Sequence, residues 1–312
     1  MKNKIHENRK FCYDIVESTH KKYLNKKGFN KSKYLEKRNC PICKNKKYRY
    51  LFKKRGGIYV CCKNCSMVYL NPVFTDKSLI LYYKNLHDSQ SVITKNEKRF
   101  YTKIYTKGLN AIEKFKKKGS LLDVGCSSGY FLDVAKKNKW NTSGIELNKK
   151  EAKISKKKHF VYEKEFHKID NNKTYDAITM WDVFEHLKNP HLILQMIRKK
   201  LNKRGLFFIQ IPNVKALAPR ILQEKCNMFD GIEHVNLYDP NTIDLCARKN
   251  KFKIIHMESV ISEVPVISNF LNYENPYFGK INSAKKILNV IDEKKLHKNF
   301  LGYKLQVVLQ KN

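Results

Sequence analysis

From residue 120 onward, short apolar runs alternate with segments whose apolar residues recur every three or four positions. The runs Leu121–Val124, Asn141–Ile145, Phe160–Tyr162, Tyr175–Met180, Gly205–Ile211, Lys253–Met257 and Tyr303–Leu309 predict seven strands. The intervening spacing predicts helices, among them His191–Leu201 and Asn241–Lys249. This alternation implies an α/β fold, a mostly parallel seven-stranded sheet with helices on both faces. Ahead of it, residues 73–119 place Leu79, Tyr82, Tyr83 and Leu86, then Phe100, Ile104, Leu109 and Ile112, at helical spacing. Tyr48–Phe52 and Ile58–Val60, separated by Gly56 and Gly57, predict a β-hairpin. Residues 1–39 are polar and basic, consistent with short helices or a disordered arm. Residues 258–300 are expected to be an insertion before the last strand, acting as a lid or substrate-side element.

The first predicted strand stops at Gly125, and Gly129 opens the next helix. Strand, glycine turn, helix is the entry of a nucleotide-binding unit, where a glycine lets the backbone approach a ligand. Ser127 stands where many such loops place a middle glycine. About 20 residues past the turn, Glu146 ends the second strand, the position from which a carboxylate accepts hydrogen bonds from ribose hydroxyls.

The ordered set D-V-G-C-S-S-G, G-I-E-L, Y-D-A-I-T-M-W-D-V-F-E-H-L and G-L-F-F-I-Q-I-P-N resembles the motifs of class I S-adenosylmethionine (SAM)-dependent methyltransferases, over roughly Leu121 to Phe252. The resemblance implies a Rossmann-like fold. It implies that Asp123, Gly125, Cys126 and Gly129 lie at the methionine end of SAM, that Glu146 takes the ribose and Leu147 the adenine face. Trp181 and Asp182 would border the sulfonium, and the loop near Glu165 and Phe166 the adenine edge.

Cys40-Pro-Ile-Cys43 and Cys62-Lys-Asn-Cys65 are eighteen residues apart. This is the spacing of a four-cysteine zinc ribbon, in which two tight turns complete a tetrahedron of sulfurs. Cys61 breaks the spacing. Disulfides and free buried cysteines are the alternatives. A closed four-thiolate site is structural, because no ligand position is open. The continuation S-M-V-Y-L-N-P resembles bacterial methyltransferases that join such a ribbon to a class I domain in nucleotide-sugar and polysaccharide pathways. The implied organisation is an arm at 1–39, a ribbon at 40–72, a helical linker at 73–119 and a catalytic domain at 120–312.

Composition adds a constraint on partners. The net charge is +36, from 64 Lys and Arg against 28 Asp and Glu. Residues 1–120 alone carry 31 basic against 8 acidic residues. Such a front half attracts nucleic acid or other anions, although lysines also dot the predicted helices of the second half. No apolar run is long enough to span a membrane, and Met1–Glu7 has no apolar core of a signal peptide. Nine cysteines without that signal fit a reducing compartment, so a cytoplasmic location is expected.

Methyl transfer from a sulfonium is an in-line displacement that needs a base only if the acceptor loses a proton. Glu185, His186 and His234 are the candidate acceptor-side groups; each histidine is equally readable as a packing or loop-holding residue. The expected acceptor is a small molecule, with a nucleotide-linked sugar or polysaccharide precursor suggested by the resemblance. RNA is the alternative, opposed by W-D-V-F where enzymes acting on exocyclic amines carry N-P-P-Y. A decayed, non-catalytic cofactor pocket is a third, opposed by the intact Asp123, Gly125, Gly129 and Glu146. Nothing in the sequence fixes an oligomeric state.

Overall fold

A computed structural model describes residues 16–85, 95–170, 172–261, 267 and 292–311. In chain order its strands are β1 (Leu35–Glu36), β2 (Tyr48–Lys54), β3 (Gly57–Cys62), β4 (Val68–Leu70), β5 (Val73–Phe74), β6 (Ser120–Val124), β7 (Asn141–Ile145), β8 (Phe160–Tyr162), β9 (Tyr175–Trp181), β10 (Leu201–Pro212), β11 (Asn236–Leu237), β12 (Phe252–Val260) and β13 (Lys304–Lys311). Seven of them form one sheet in the order β12-β13-β10-β9-β6-β7-β8. β8, β7, β6, β9 and β10 pair in parallel, and β13 runs antiparallel to β10 and β12. The order reverses between β6 and β9, so the crevice beyond their carboxyl ends is the topological switch point where such sheets bind ligands.

Both faces of the sheet are covered, which is why consecutive residues such as Leu121 and Leu122, Ala177 and Ile178, and Phe207 and Phe208 are all buried. Alternate residues divide between two cores. Leu122, Ile178, Phe207, Ile209 and Val307 pack with Leu194 and Ile197 of helix Pro190–Lys200 and with Ile243 of helix Pro240–Lys249. Leu121, Ala177, Trp181, Phe208 and Val308 pack with Leu109 and Ile112 of helix Lys95–Glu113 and with Phe131 and Leu132 of helix Tyr130–Lys137.

The second sheet, β11-β4-β3-β2, is antiparallel and built mostly from residues 48–70. Its hairpin turn is Arg55-Gly56, both at positive φ (43° and 81°), the geometry of a two-residue hairpin with matching twist. The sequence placed the turn one residue later. Gly57 is instead the first residue of β3, and it is glycine because a Cβ there would lie 2.2 Å from the Gly231 carbonyl oxygen. The fourth strand, β11, comes from the catalytic half, pairing Asn236 with Tyr69 and Leu237 with Val68. Ile42, Val60, Met67 and Tyr69 join the core of the main sheet.

The buried Arg38 guanidinium fixes this junction. Nε donates to the Leu70 carbonyl, Nη1 to the Lys188 carbonyl, and Nη2 to the Val235 carbonyl and Asn236 Oδ1. Its own N–H donates to Asn71 Oδ1 at 3.0 Å. The residues before it also dock: Tyr23 packs on Phe74 and Tyr82. β12 continues to Val260, past the expected start of the insertion; residues 262–266 and 268–291, which hold most of that segment, lie outside the described residues, as do residues 1–15. Among the described residues no helix is long and apolar enough to cross a membrane.

Candidate active site and cysteine centre

The two Cys-x-x-Cys segments form matching turns. Lys44 N–H donates to the Cys40 carbonyl and Ser66 N–H to the Cys62 carbonyl, both at 3.1 Å, and Lys44 and Ser66 both have positive φ (62° and 61°). The turns point four free thiols at one spot. Cys40 Sγ lies 3.5 Å from Cys65 Sγ, Cys43 Sγ lies 3.4 Å from Cys62 Sγ, and all four are within 4.8 Å of one another. A tetrahedron with Zn–S bonds of about 2.3 Å separates its sulfurs by about 3.8 Å, so the four thiols fit a zinc ion with small adjustments. Cys61 faces away, its Sγ near the Ser66 carbonyl.

The glycine turn after β6 is pinned to β7. The N–H groups of Gly125 and Cys126 both donate to the Ile145 carbonyl at 2.9 Å. Gly125 (φ 79°) has no room for a side chain, since a Cβ would lie 2.7 Å from Val183 Cγ2. Gly129 (φ 83°) caps helix Tyr130–Lys137 against Ser155 and His159. Ser127 sits in the left-handed region (φ 47°) and donates its N–H to Glu146 Oε2 at 2.8 Å. Glu146 Oε1 accepts from Asn148 N–H at 2.7 Å. The carboxylate is thus oriented by one donor per oxygen, with lone pairs left for further donors. Burial pushes its pKa up. Leu147 beside it is exposed.

Asp123 is buried under the turn and accepts from Thr179 Oγ1 at 2.6 Å; desolvation raises its pKa to about 8. Tyr105 of helix Lys95–Glu113 faces the same crevice, its hydroxyl in the field of Asp123 and Asp182. Two expected cofactor residues point elsewhere. The Cys126 thiol turns inward, beside Gly144 and 3.9 Å from Ser155 Oγ, because the turn needs a small packing residue there. The Trp181 ring packs edge-on to Tyr105 and tilted against Phe131 and Phe208, at 4.6–4.8 Å between centroids, and its Nε1 has no partner among the described residues. Phe166 is buried in the core, whereas Glu165 pairs with Lys168 at the surface.

At the end of β9, Asp182 also has positive φ (55°), a conformation Asp tolerates better than most residues. Its Oδ2 accepts from Gln210 and Lys304, which ties β9 to β10 and β13. A single turn follows, Phe184–His186. Glu185 is fully buried, and neither carboxylate oxygen has a hydrogen-bond partner among the described residues. Desolvation, then the charge of Asp182, pushes its pKa well up. The His186 ring meets the His234 ring edge-on at 4.8 Å; burial and then His234 lower the His186 pKa to about 4. His234 Nδ1–H donates to the Met228 carbonyl at 2.7 Å, and its Nε2 lies 4.0 Å from Glu185 Oε1. Asp230 holds this loop by accepting the N–H groups of Ile232, Glu233 and His234.

The structure therefore gathers Asp123, Gly125, Glu146 and Asp182 at the carboxyl ends of β6, β7 and β9, and sets Glu185, His186 and His234 together next to them. The sequence did not single out Asp230 or Lys304, and it gave Tyr105 only as one of the core- or cleft-lining tyrosines of the 73–119 helices. Asp230 could be suspected from the turn-forming D-G-I-E-H. Lys304 and Tyr105 arrive from distant segments with no local signal.

A family model described as a methyltransferase domain matches residues 96–257. Among solved structures, a SAM-dependent methyltransferase of Archaeoglobus fulgidus is 20% identical over 67% of this chain and 93% of its own, at a TM-score of 0.49. A cyclopropane synthase of Mycobacterium tuberculosis is 15% identical over 72% and 88%, at 0.48. Coclaurine N-methyltransferase is 16% identical over 71% and 75%, at 0.47. No curated protein matches the sequence. With the family model spanning just over half of the chain, on a seven-stranded sheet whose switch point carries the glycine turn, the protein belongs to the methyltransferase-domain family and is a class I SAM-dependent methyltransferase.

Proposed function

We propose that the protein methylates a small-molecule acceptor, a nucleotide-linked sugar or polysaccharide precursor, and that a structural zinc ribbon supports its acceptor side. The observation that carries this is the build of the Glu185, His186 and His234 cluster. It is recessed beside Asp182, and its His234 loop rests on the ribbon through β11 and Arg38. A ribbon fused in this way is a wall of the acceptor site rather than a free module.

The chain's own groups fit SAM at the switch point. The glycine turn would admit its methionine end, with Asp123 facing the ammonium and Asp182 nearby. Glu146 would accept the ribose hydroxyls, and Leu147 would cover adenine. Trp181 would contribute through its backbone and by supporting Tyr105. When bound, SAM supplies an electrophilic methyl on a sulfonium. The recess keeps water from the reacting atoms, and the imidazole of His186 or His234 can accept a proton from the acceptor. The four cysteines would hold zinc with no catalytic part.

RNA as acceptor has one observation in its favour. One face of β2 exposes Tyr48 and Tyr50 (42% and 61%), with the exposed Arg49 on the other face, groups suited to stacking bases and meeting phosphate. Label transfer from radioactive SAM decides between the two. Turnover with nucleotide-sugars and none with RNA supports the proposal. Turnover with RNA alone, falling steeply with salt, overturns it.

A further inference from the structure

We propose that Glu185, His186 and His234 form a binding site for a divalent first-row transition cation, separate from the four-cysteine centre. One donor atom from each of the three side chains lies within 4.8 Å of the others. A cation about 2.1 Å from nitrogen and oxygen ligands holds them about 3.0–3.4 Å apart, so modest side-chain rotations would close the set. The Glu185 Oε1 to His234 Nε2 distance of 4.0 Å is too long for a hydrogen bond and leaves space between the two.

Each histidine is prepared in the way metal ligands are. The Met228 carbonyl takes the proton of His234 Nδ1, which leaves a lone pair on Nε2. The His186 Nδ1 is buried and has no partner among the described residues. One ring is thus oriented from behind by the backbone, and the other keeps a nitrogen free within reach of it and of Glu185.

Glu185 supplies the independent sign of a missing ligand. It is 0% exposed, and both oxygens lack a donor among the described residues. A carboxyl group buried without hydrogen bonds costs several kcal/mol, and structures retain one where a ligand satisfies it. The surrounding groups have other partners. Lys304 is engaged with Asp182, and Asp230 with three backbone N–H groups and, at 3.5 Å, with His234 Nδ1. Two imidazoles and one carboxylate select manganese, iron or zinc over magnesium or calcium. The His234 side chain is partly exposed and that of Glu185 is not, so the remaining coordination positions open on the His234 side. An acceptor bearing a hydroxyl or carboxylate oxygen would complete them. That last consequence rests on the small acceptor proposed above, with the two imidazoles then holding the cation instead of taking the acceptor's proton; the cation site does not.

The test uses the full chain with its zinc retained and Mn2+ as probe, because a four-thiolate site keeps zinc in preference to manganese. Mn2+ binding is followed by loss of the free-ion paramagnetic resonance signal, with zinc content measured in parallel. Binding of S-adenosylhomocysteine reports that each variant is folded. The expected result is one Mn2+ per chain beside one zinc, with Mn2+ affinity lowered at least tenfold in H234A and E185Q. No Mn2+ binding to folded wild type, or equal binding in both variants, overturns the site. Loss of turnover on every small acceptor with Mn2+ binding intact would instead sink the acceptor proposal and leave the cation site standing.

Discussion

The Tyr59 hydroxyl, at the centre of the ribbon sheet, donates to the His234 carbonyl at 3.3 Å and accepts the Gly231 N–H at 3.2 Å. Tyr59 is fully buried. Through this one oxygen the ribbon specifies the backbone that presents His234. Tyr59→Phe removes the oxygen and leaves both backbone groups without it in the interior, at a cost of about 1–3 kcal/mol. The expected outcome is a lower urea midpoint, a raised acceptor KM and unchanged S-adenosylhomocysteine affinity. A proportional loss of cofactor binding would show that the ribbon supports the whole crevice instead.

Removing the zinc proposed for the four cysteines should act on the same path more broadly. Ile42 and Tyr69, close to the cysteines, belong to the core of the main sheet, so the ribbon does not unfold in isolation. Cys43→Ser, or treatment with a strong chelator, is expected to abolish stoichiometric zinc and to lower the melting temperature of the entire chain in one transition. Two separated transitions in calorimetry would contradict that coupling.

Cofactor affinity should depend on pH through Asp123. Burial raises its pKa to about 8, so the free protein carries the neutral acid at pH 7. Facing a ligand ammonium requires the carboxylate, so a proton must leave on binding. Affinity for S-adenosylhomocysteine is expected to rise up to tenfold per unit from pH 6 and to level near pH 8, with proton release seen as a dependence of the titration heat on buffer. Asp123→Asn should bind weakly with a flat profile. A flat profile in the wild type would remove Asp123 from that role.

Glu146 makes two backbone contacts besides any to ribose. Glu146→Ala frees the Ser127 N–H in a residue already held at positive φ, so the turn loosens as the anchor is lost. Calorimetric titration should show S-adenosylhomocysteine affinity falling at least tenfold, with Glu146→Gln falling less because it keeps one acceptor for the turn.

What the sequence made legible were features with a local cause. β7 and β8 have the residue bounds that the sequence predicts, although Asn141 and Phe160 at their starts are exposed. The four cysteines and the glycine turn were visible because tight turns demand fixed spacing. The missing part is long-range. β11 has two residues, too few for any periodicity, yet it joins the ribbon to the catalytic half. Gly57 was assigned to the turn because the reason for it, the Gly231 carbonyl, is far away in the chain. Trp181 follows the motif order, but its ring goes where Gly108 makes room, with Trp181 and Phe208 filling the space of the absent side chain.

Arg38 gives the strongest test that the junction is one cooperative unit. It reaches four acceptors at once, on Leu70, Lys188, Val235 and Asn236, and burial lowers its pKa to about 10. A lysine keeps the charge but cannot reproduce the planar fork, so it leaves acceptors of the junction unpaired, while the Val235 carbonyl keeps a second donor in the Leu70 N–H. Each such loss costs about 1–3 kcal/mol. Arg38→Lys should therefore destabilise by about 3 kcal/mol or more in urea unfolding. Because Val235 and Asn236 directly follow His234, the same variant should lose acceptor turnover at a temperature where it remains folded and still binds S-adenosylhomocysteine. A variant that loses stability but turns over normally would confine Arg38 to holding the fold.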